Sequence, residues 1–200
     1  MRNNDHFLSC DWGTSSFRLR LVKSASLEII EEFKSDQGIA LTYNEWLSLK
    51  RRAEERHAFY KKIIAGALSG IKHDVTDLPI LLSGMASSTI GIQELPYGEF
   101  PFTWNASDIP LCKIESDKFL RHTLYLVSGL KTETDIMRGE ETMLLGCRPD
   151  PGKSLYIFPG THSKHIVVKD AIATDFKTYM TGELFHVMNN HSVLKNSVAP

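Results

Sequence analysis

Between residues 17 and 22, Phe17, Leu19 and Leu21 alternate with Arg18, Arg20 and Val22. A period of two marks a half-buried strand. The short apolar run 7–10 precedes it across a turn-rich Asp-Trp-Gly-Thr-Ser-Ser, and LEIIEEF at 27–33 follows a Ser-Ala-Ser turn. Three strands joined by tight turns predict an antiparallel meander. From residue 44 to 71 the period changes. Trp46, Leu47, Leu49, Phe59, Ile63, Ile64, Ala67 and Leu68 recur at roughly helical spacing, which predicts one long helix or two short ones.

Residues 78–83 (LPILLS) read as a buried strand that ends at Gly84, and 90–104, with Pro96, Gly98 and Pro101, as a loop. A short strand is expected at 125–127. A helix is expected at 136–145, closed by Gly146 with Pro149 beyond. Strands follow at 155–158, 165–168 and 171–179, and a helix begins near Gly182. The order strand, turn carrying Gly, Thr and Ser, strand occurs twice: LSCDWGTSSFRLRLV at 8–22 and YIFPGTHSKHIVV at 156–168. Two such hairpins far apart in one chain suggest two related half-structures.

The 200 residues are 42% hydrophobic, enough for one domain with a core or for one domain and the start of another. With 23 Lys and Arg against 24 Asp and Glu, nothing calls for nucleic acid or an anionic membrane as partner. No apolar run approaches the roughly 20 residues that cross a bilayer. The opening MRNNDHF lacks the apolar core of a secretory signal, so a cytoplasmic location is expected. Cys10, Cys112 and Cys147 are odd in number and far apart, which fits reduced thiols packed in or near a core.

A glycine-hydroxyl turn between two strands exposes several backbone N–H groups in a small concavity, which suits phosphate oxygens. Asp11 stands directly before the first turn. A carboxylate there would repel a nucleotide unless a cation such as hydrated Mg²⁺ lay between them. Two turns facing each other across a cleft would hold the β- and γ-phosphates of ATP, and phosphoryl transfer mainly requires such positioning. The plainer reading is a hairpin loop whose Asp and Ser cap backbone groups. The second turn argues against it. So does the lack of GxxxxGK[ST] and of a strand followed by GxGxxG, which would indicate other nucleotide folds.

DWGTSSFRLR resembles the first phosphate motif of the actin-like sugar kinases, and PGTHSKH resembles their second. Together with SGMASSTIGIQELPY at 83–97, MRGEETMLLG at 137–146 and MTGELFH at 180–186, the chain resembles the 2-dehydro-3-deoxygalactonokinase family over about 7–190. The resemblance implies an α/β, ribonuclease-H-like, actin-like fold with mixed sheets and flanking helices. It places residues 1–130 in a first domain with sugar-acid-binding segments. Residues 131–200 would form an interdomain helix and the first hairpins of a second. ATP, Mg²⁺ and a small sugar acid are the implied ligands, and the implied reaction makes the 6-phosphate of 2-dehydro-3-deoxy-D-galactonate.

On this resemblance Asp11 matches the metal-orienting carboxylate. Gly13, Thr14, Ser15 and Ser16 match the first phosphate turn, and Gly160, Thr161, His162, Ser163 and Lys164 the second. Gly139-Glu140-Glu141 resembles the Gly-Asp pair whose Asp is the general base in related kinases, which points to Glu140. A base is needed because a sugar hydroxyl is a poor nucleophile until its proton has somewhere to go. The alternative for either Glu is a place in the first turn of a helix, where the dipole favours carboxylates. It carries more weight for Glu141.

Arg138 suits bidentate capture of the substrate carboxylate, or a salt bridge to its glutamate neighbours. Lys164 would neutralise phosphoryl charge or be a solvated hairpin lysine. Ser87, Ser88 and Thr89 could bind sugar hydroxyls or form an ordinary loop, and Arg51, Arg52 and Arg56 read as a solvated helix face. Members of the family run longer than this chain, and the later part supplies the adenosine loop. The sequence is therefore expected to be a fragment or a truncated product. Two other functions remain open: a non-catalytic actin-like sensor of nucleotide or sugar acid, and a kinase for a related acid. The oligomeric state, a homo-oligomer included, is also open.

Overall fold

The computed structural model describes residues 5–197, apart from 51, 105 and 148–150. The chain opens with strands β1 (His6–Trp12), β2 (Phe17–Lys23) and β3 (Ile29–Ser35), followed by helices α1 (Ile39–Ser48) and α2 (Arg56–Leu68). Strands β4 (Ile80–Gly84), β5 (Gly98–Glu99), β6 (Phe102–Thr103), β7 (Leu111–Ile114) and β8 (Leu124–Val127) come next. After β9 (Leu130–Lys131), β10 (Ile136–Met137) and helix α3 (Glu140–Leu145) come β11 (Lys153–Phe158), β12 (Ser163–Lys169), β13 (Ile172–Tyr179) and helix α4 (Thr181–His191).

These elements form two compact units. The first takes the chain up to Tyr97 and again Ile109–Gly129; the second takes Gly98–Asp108 and the chain from Leu130 onward. In the first unit a six-stranded sheet has the order β3-β2-β1-β4-β8-β7. The meander β1-β2-β3 is antiparallel, β4 lies parallel to β1, and β8 lies parallel to β4. This is the mixed, ribonuclease-H-like sheet that the resemblance implied.

Alternation explains why these segments pair. Leu8, Cys10 and Trp12 of β1 sit opposite Leu21, Leu19 and Phe17 of β2, and all six are buried. Two apolar rows therefore cross four strands, Leu21–Leu8–Ile80–Leu124 and Leu19–Cys10–Leu82–Leu126. Tyr60, Ile64 and Ala67 of α2 belong to the same core. The Trp12 ring packs edge-on against Phe17, with centroids 5.0 Å apart, and its Nε1 donates to the Gln37 carbonyl at 2.9 Å. Trp12 is thereby fixed next to the turn that follows it.

The second unit contains the three-stranded order β10-β9-β5 and the four-stranded order β11-β12-β13-β6. Its buried side gathers rings: Phe100 lies 5.0 Å from Phe176 and 5.3 Å from Phe102, and Trp104 packs near Tyr156. Two expectations change here. Residues 136–145 are not one helix: Ile136 and Met137 form β10, and α3 begins only at Glu140. Gly139 between them has φ 106°, a left-handed turn that a helix cannot contain. The proline-rich stretch 90–104 is not all loop, because it supplies β5 and β6, and β6 pairs with β13.

The opposite side of β11 exposes Leu155 and Ile157, and α4 exposes Leu184, Phe185, Val187 and Met188 with none of its residues buried. The three cysteines are free, as expected, and Cys10 is buried, which pushes its thiol well above the usual range. Arg51 and Pro149, named above, lie outside the described residues. Among the described residues no helix is long and apolar enough to cross a membrane.

Candidate functional site

The first turn connects β1 and β2. Gly13 donates its N–H to the Ser16 carbonyl at 2.9 Å, closing the bend. Thr14 and Ser15 are exposed and Ser16 is half-buried. Among the described residues no acceptor takes the backbone N–H of Thr14, Ser15 or Ser16. The carbonyls are another matter. The amides of Ile39 and Ala40, at the start of α1, donate to Gly13 O and Thr14 O at 2.9 and 3.1 Å. The helix thus holds the acceptor side of the turn and leaves its donor side open.

That contact requires a glycine. A Cβ on Gly38 would stand 2.3 Å from the Thr14 carbonyl oxygen and 2.5 Å from the Ser15 carbonyl carbon. The second unit repeats the construction. The Gly160–Ser163 turn links β11 to β12, and the Glu183 amide near the start of α4 donates to Thr161 O at 3.0 Å. A Cβ on Gly182 would meet Gly160 O at 2.5 Å. The Gly160 N–H donates to Ser163 Oγ, at 3.3 Å, Ser163 Oγ hydrogen-bonds Thr181 Oγ1, and His162 pairs with Glu183. Among the described residues the amides of Thr161 and His162 have no acceptor.

Each turn therefore presents unused backbone donors from a bend braced by a helix start, an arrangement able to receive an anion. The sequence placed a helix start near Gly182 without a bracing role, and Gly38 lies ahead of the helix expected from residue 44. The signal that could have marked both is a glycine where a helix starts shortly after a strand.

Asp11, the penultimate residue of β1, stands opposite Arg18, whose guanidinium lies 3.0 Å from its carboxylate. Among the described residues no cluster of three or more His, Cys, Asp or Glu side chains could hold a metal. A single hard carboxylate beside a turn with open amides is compatible with Mg²⁺, which commonly takes one or two carboxylates, substrate phosphates and water.

Glu140 and Glu141 open α3 and have different environments. Glu140 is half-buried. Glu141 is fully buried, and both its oxygens accept the Gly139 N–H at 2.8 Å, with Thr142 Oγ1 donating at 3.2 Å. It caps its own helix and fixes the turn before it. Burial pushes the Glu141 carboxyl from 4.5 up to about 7, although the Gly139 amide pulls the other way. The folded chain thus holds this proton more firmly than the unfolded chain does. The resulting stabilisation is complete below about pH 4.5 and fades as pH rises through about 7. Thermal melts from pH 4 to 8 are expected to show that decline, and Glu141→Gln to flatten it.

Ser87 and Ser88 are buried in the short turn after β4, and Ser88 Oγ donates to Met85 O at 2.7 Å. Of this run only Thr89 is exposed. Arg56 differs from the solvated helix face expected of it with Arg51 and Arg52. Its guanidinium donates to Thr89 O and stacks near Tyr43 and Tyr60, and Tyr60 donates to Ile90 O at 2.6 Å, tying α2 to this loop. Arg52 is exposed. Lys164 is not a solvated hairpin lysine either, being only 6% exposed. Arg138 is half-buried just before Gly139. A cavity of about 490 Å³ in the second unit is lined by Glu99, Lys131 and the turn from Thr132 to Asp135; none of the expected site residues lines it.

The sequence profile of a family described as 2-keto-3-deoxy-galactonokinase matches residues 11–200. A Rhizobium meliloti protein named "Probable 2-dehydro-3-deoxygalactonokinase DgoK1" is 31% identical over 206 residues, covering 100% of this chain and 61% of its own length. The Escherichia coli 2-dehydro-3-deoxygalactonokinase is 28% identical, covering 97% of this chain and 60% of its own. A crystal structure of "a putative 2-dehydro-3-deoxygalactonokinase protein from Sinorhizobium meliloti" superposes with a TM-score of 0.72 at 30% identity. It covers 96% of this chain and 60% of that one. The chain thus spans about three fifths of the length of the curated relatives it matches.

Proposed function

The chain belongs to the 2-keto-3-deoxy-galactonokinase family, and on that premise we propose that its whole protein transfers the γ-phosphate of ATP to a sugar acid. The acceptor is 2-dehydro-3-deoxy-D-galactonate and the products are its 6-phosphate and ADP. The observation that carries this reading is the repeated turn, with open amides at Thr14–Ser16 and at Thr161 and His162. Phosphate oxygens are acceptors only, so a rigid set of unused donors suits them.

In this reading the first turn and the second, with Ser163 and Lys164, bind phosphate oxygens of ATP. Asp11 orients Mg²⁺, which when bound neutralises phosphate charge. Glu140 accepts the proton of the attacking hydroxyl as the phosphoryl group leaves ADP. Arg138 takes the acid's carboxylate, and Ser87 and Ser88 shape the loop that meets its hydroxyls. Catalysis then comes from positioning and charge, and the protein forms no covalent intermediate.

The test is a coupled ADP-release assay of the whole protein across 2-keto-3-deoxy acids of both configurations. Mg²⁺-dependent ADP release that requires the galactonate-derived acid is the expected result. Tight binding of ATP or acid with no release would favour a sensor. Release with the gluconate epimer alone would reassign the acceptor.

A further inference from the structure

We propose that Asp135 is a positioning residue which, through Thr178 and Lys164, locks the segment carrying Glu140 to the strand that leaves the second phosphate turn. The inference rests on the kinase reading for the roles of Glu140 and that turn.

Asp135 lies five residues before Glu140 and sits in a tight bend. Its N–H donates to Thr132 Oγ1 at 3.1 Å, and its carbonyl accepts the Thr132 N–H at 2.9 Å. Its carboxylate faces β13. Oδ2 accepts the Thr178 N–H at 2.8 Å, and Oδ1 accepts the Thr178 hydroxyl at 2.7 Å and the Ile136 N–H at 2.8 Å. One carboxylate therefore ties its own segment to β13 by two bonds and orients the start of β10 by a third.

The Thr178 hydroxyl has a second role. It accepts from Lys164 Nζ at 2.8 Å, and Lys164 is the residue directly after Ser163 on β12. Lys164 is 6% exposed, and among the described residues no carboxylate lies within ion-pair distance of it. A buried ammonium requires compensation. The one hydroxyl between Lys164 and Asp135 supplies it, so the three form a hydroxyl-bridged ion pair.

The consequence is geometric. Lys164 cannot shift without moving Thr178, and Thr178 cannot shift without Asp135, the bend at 132–135 and the segment that continues to Arg138 and Glu140. Misplacing a reacting group by about 1 Å can reduce rate by roughly a hundredfold. A tie between the base-bearing segment and a phosphate turn therefore acts first on kcat, and on KM only as far as Arg138 and Lys164 move with it.

Three variants of the whole protein test this. Thr178→Val removes the bridging hydroxyl at nearly constant shape, Thr178→Ser keeps it, and Asp135→Asn removes the charge. In Thr178→Val and Asp135→Asn, kcat is expected to fall by roughly tenfold or more, a larger factor than the rise in either KM. Thr178→Ser should restore kcat. Unchanged kcat in Thr178→Val, or a rise in KM at constant kcat, would overturn the inference and leave the kinase reading standing.

Amide hydrogen exchange reads the same tie without catalysis and covers a variant of reduced stability. Exchange should quicken at residues 136–140 and at Thr178 in Asp135→Asn, while β1 and β2 keep their wild-type protection. Should wild type release no ADP, the kinase reading fails, and the exchange result alone decides the tie. Unchanged protection at 136–140 refutes it.

Discussion

Replacing Glu140 with Gln in the whole protein is expected to lower kcat by about 10²–10⁴-fold. The KM for sugar acid should change little, because a general base acts in the transition state and adds little to ground-state binding. The two neighbouring carboxylates make this a sharp test. Glu141 is fully buried and holds the Gly139 amide with both oxygens, so it has a structural task. Glu140 opens α3 directly after the left-handed turn at Gly139 and is only half-buried. Glu141→Gln should therefore register mainly in stability and its pH dependence, and Glu140→Gln mainly in turnover. Steady-state ADP release reads the turnover, and thermal melts across pH read the stability. If Glu140→Gln turned over within threefold of wild type, Glu140 would not be the base.

The second large effect is expected at the bracing glycines. Gly38→Ala and Gly182→Ala should each destabilise the protein by about 1–3 kcal/mol, the usual cost of overpacking. Each should also weaken phosphate binding. The added methyl has nowhere to go: at Gly38 it meets Thr14 O at 2.3 Å, and at Gly182 it meets Gly160 O at 2.5 Å and Thr161 Cα at 2.9 Å. Backbone cannot rotate aside as a side chain can, so the turn itself must move and its open amides with it. Gly66 is the internal control. It lies inside α2, where an added methyl would meet nothing within 4 Å, so Gly66→Ala should stabilise by about 0.5–1 kcal/mol. Urea unfolding and an ATP titration of the three variants would separate the outcomes. Equal stability in all three would show that the helix starts do not brace the turns.

Much of the fold was legible because burial here follows the local period. Phe17, Leu19 and Leu21 announce β2 by alternation, and their partners Trp12, Cys10 and Leu8 follow from the turn between them. The repeated hairpin was visible for the same reason. Legibility ended where a single backbone angle decides the outcome. Residues 136–145 have helical character throughout, but Gly139 at φ 106° divides them into a strand and a short helix. β7 went unnoticed because Leu111–Ile114 is an edge strand with Leu111 exposed, so its pattern carries little apolar contrast.

The candidate site was legible in its residue types and poorly legible in its supports. A glycine needed for close approach looks in sequence like any glycine near a helix start, so the bracing roles of Gly38 and Gly182 left no mark. The linkage of Lys164, Thr178 and Asp135 joins residues 43 positions apart at its widest hydrogen bond. No local pattern can announce it. Arg56 shows the converse: a charge on a predicted helix face reads as solvated until a partner from a distant loop, here Thr89, is seen beside it.

The most direct measurement is an amide NMR titration of this chain with magnesium tripolyphosphate, which carries the charge of the nucleotide tail and needs no adenosine pocket. Progressive, saturable shifts at Thr14, Ser15 and Ser16, and at Thr161 and His162, are the predicted result, with Gly66 unmoved. Saturation that leaves the amides of both turns in place, or shifts confined to lysine-rich surface, would contradict the assignment of these bends as the phosphate grip.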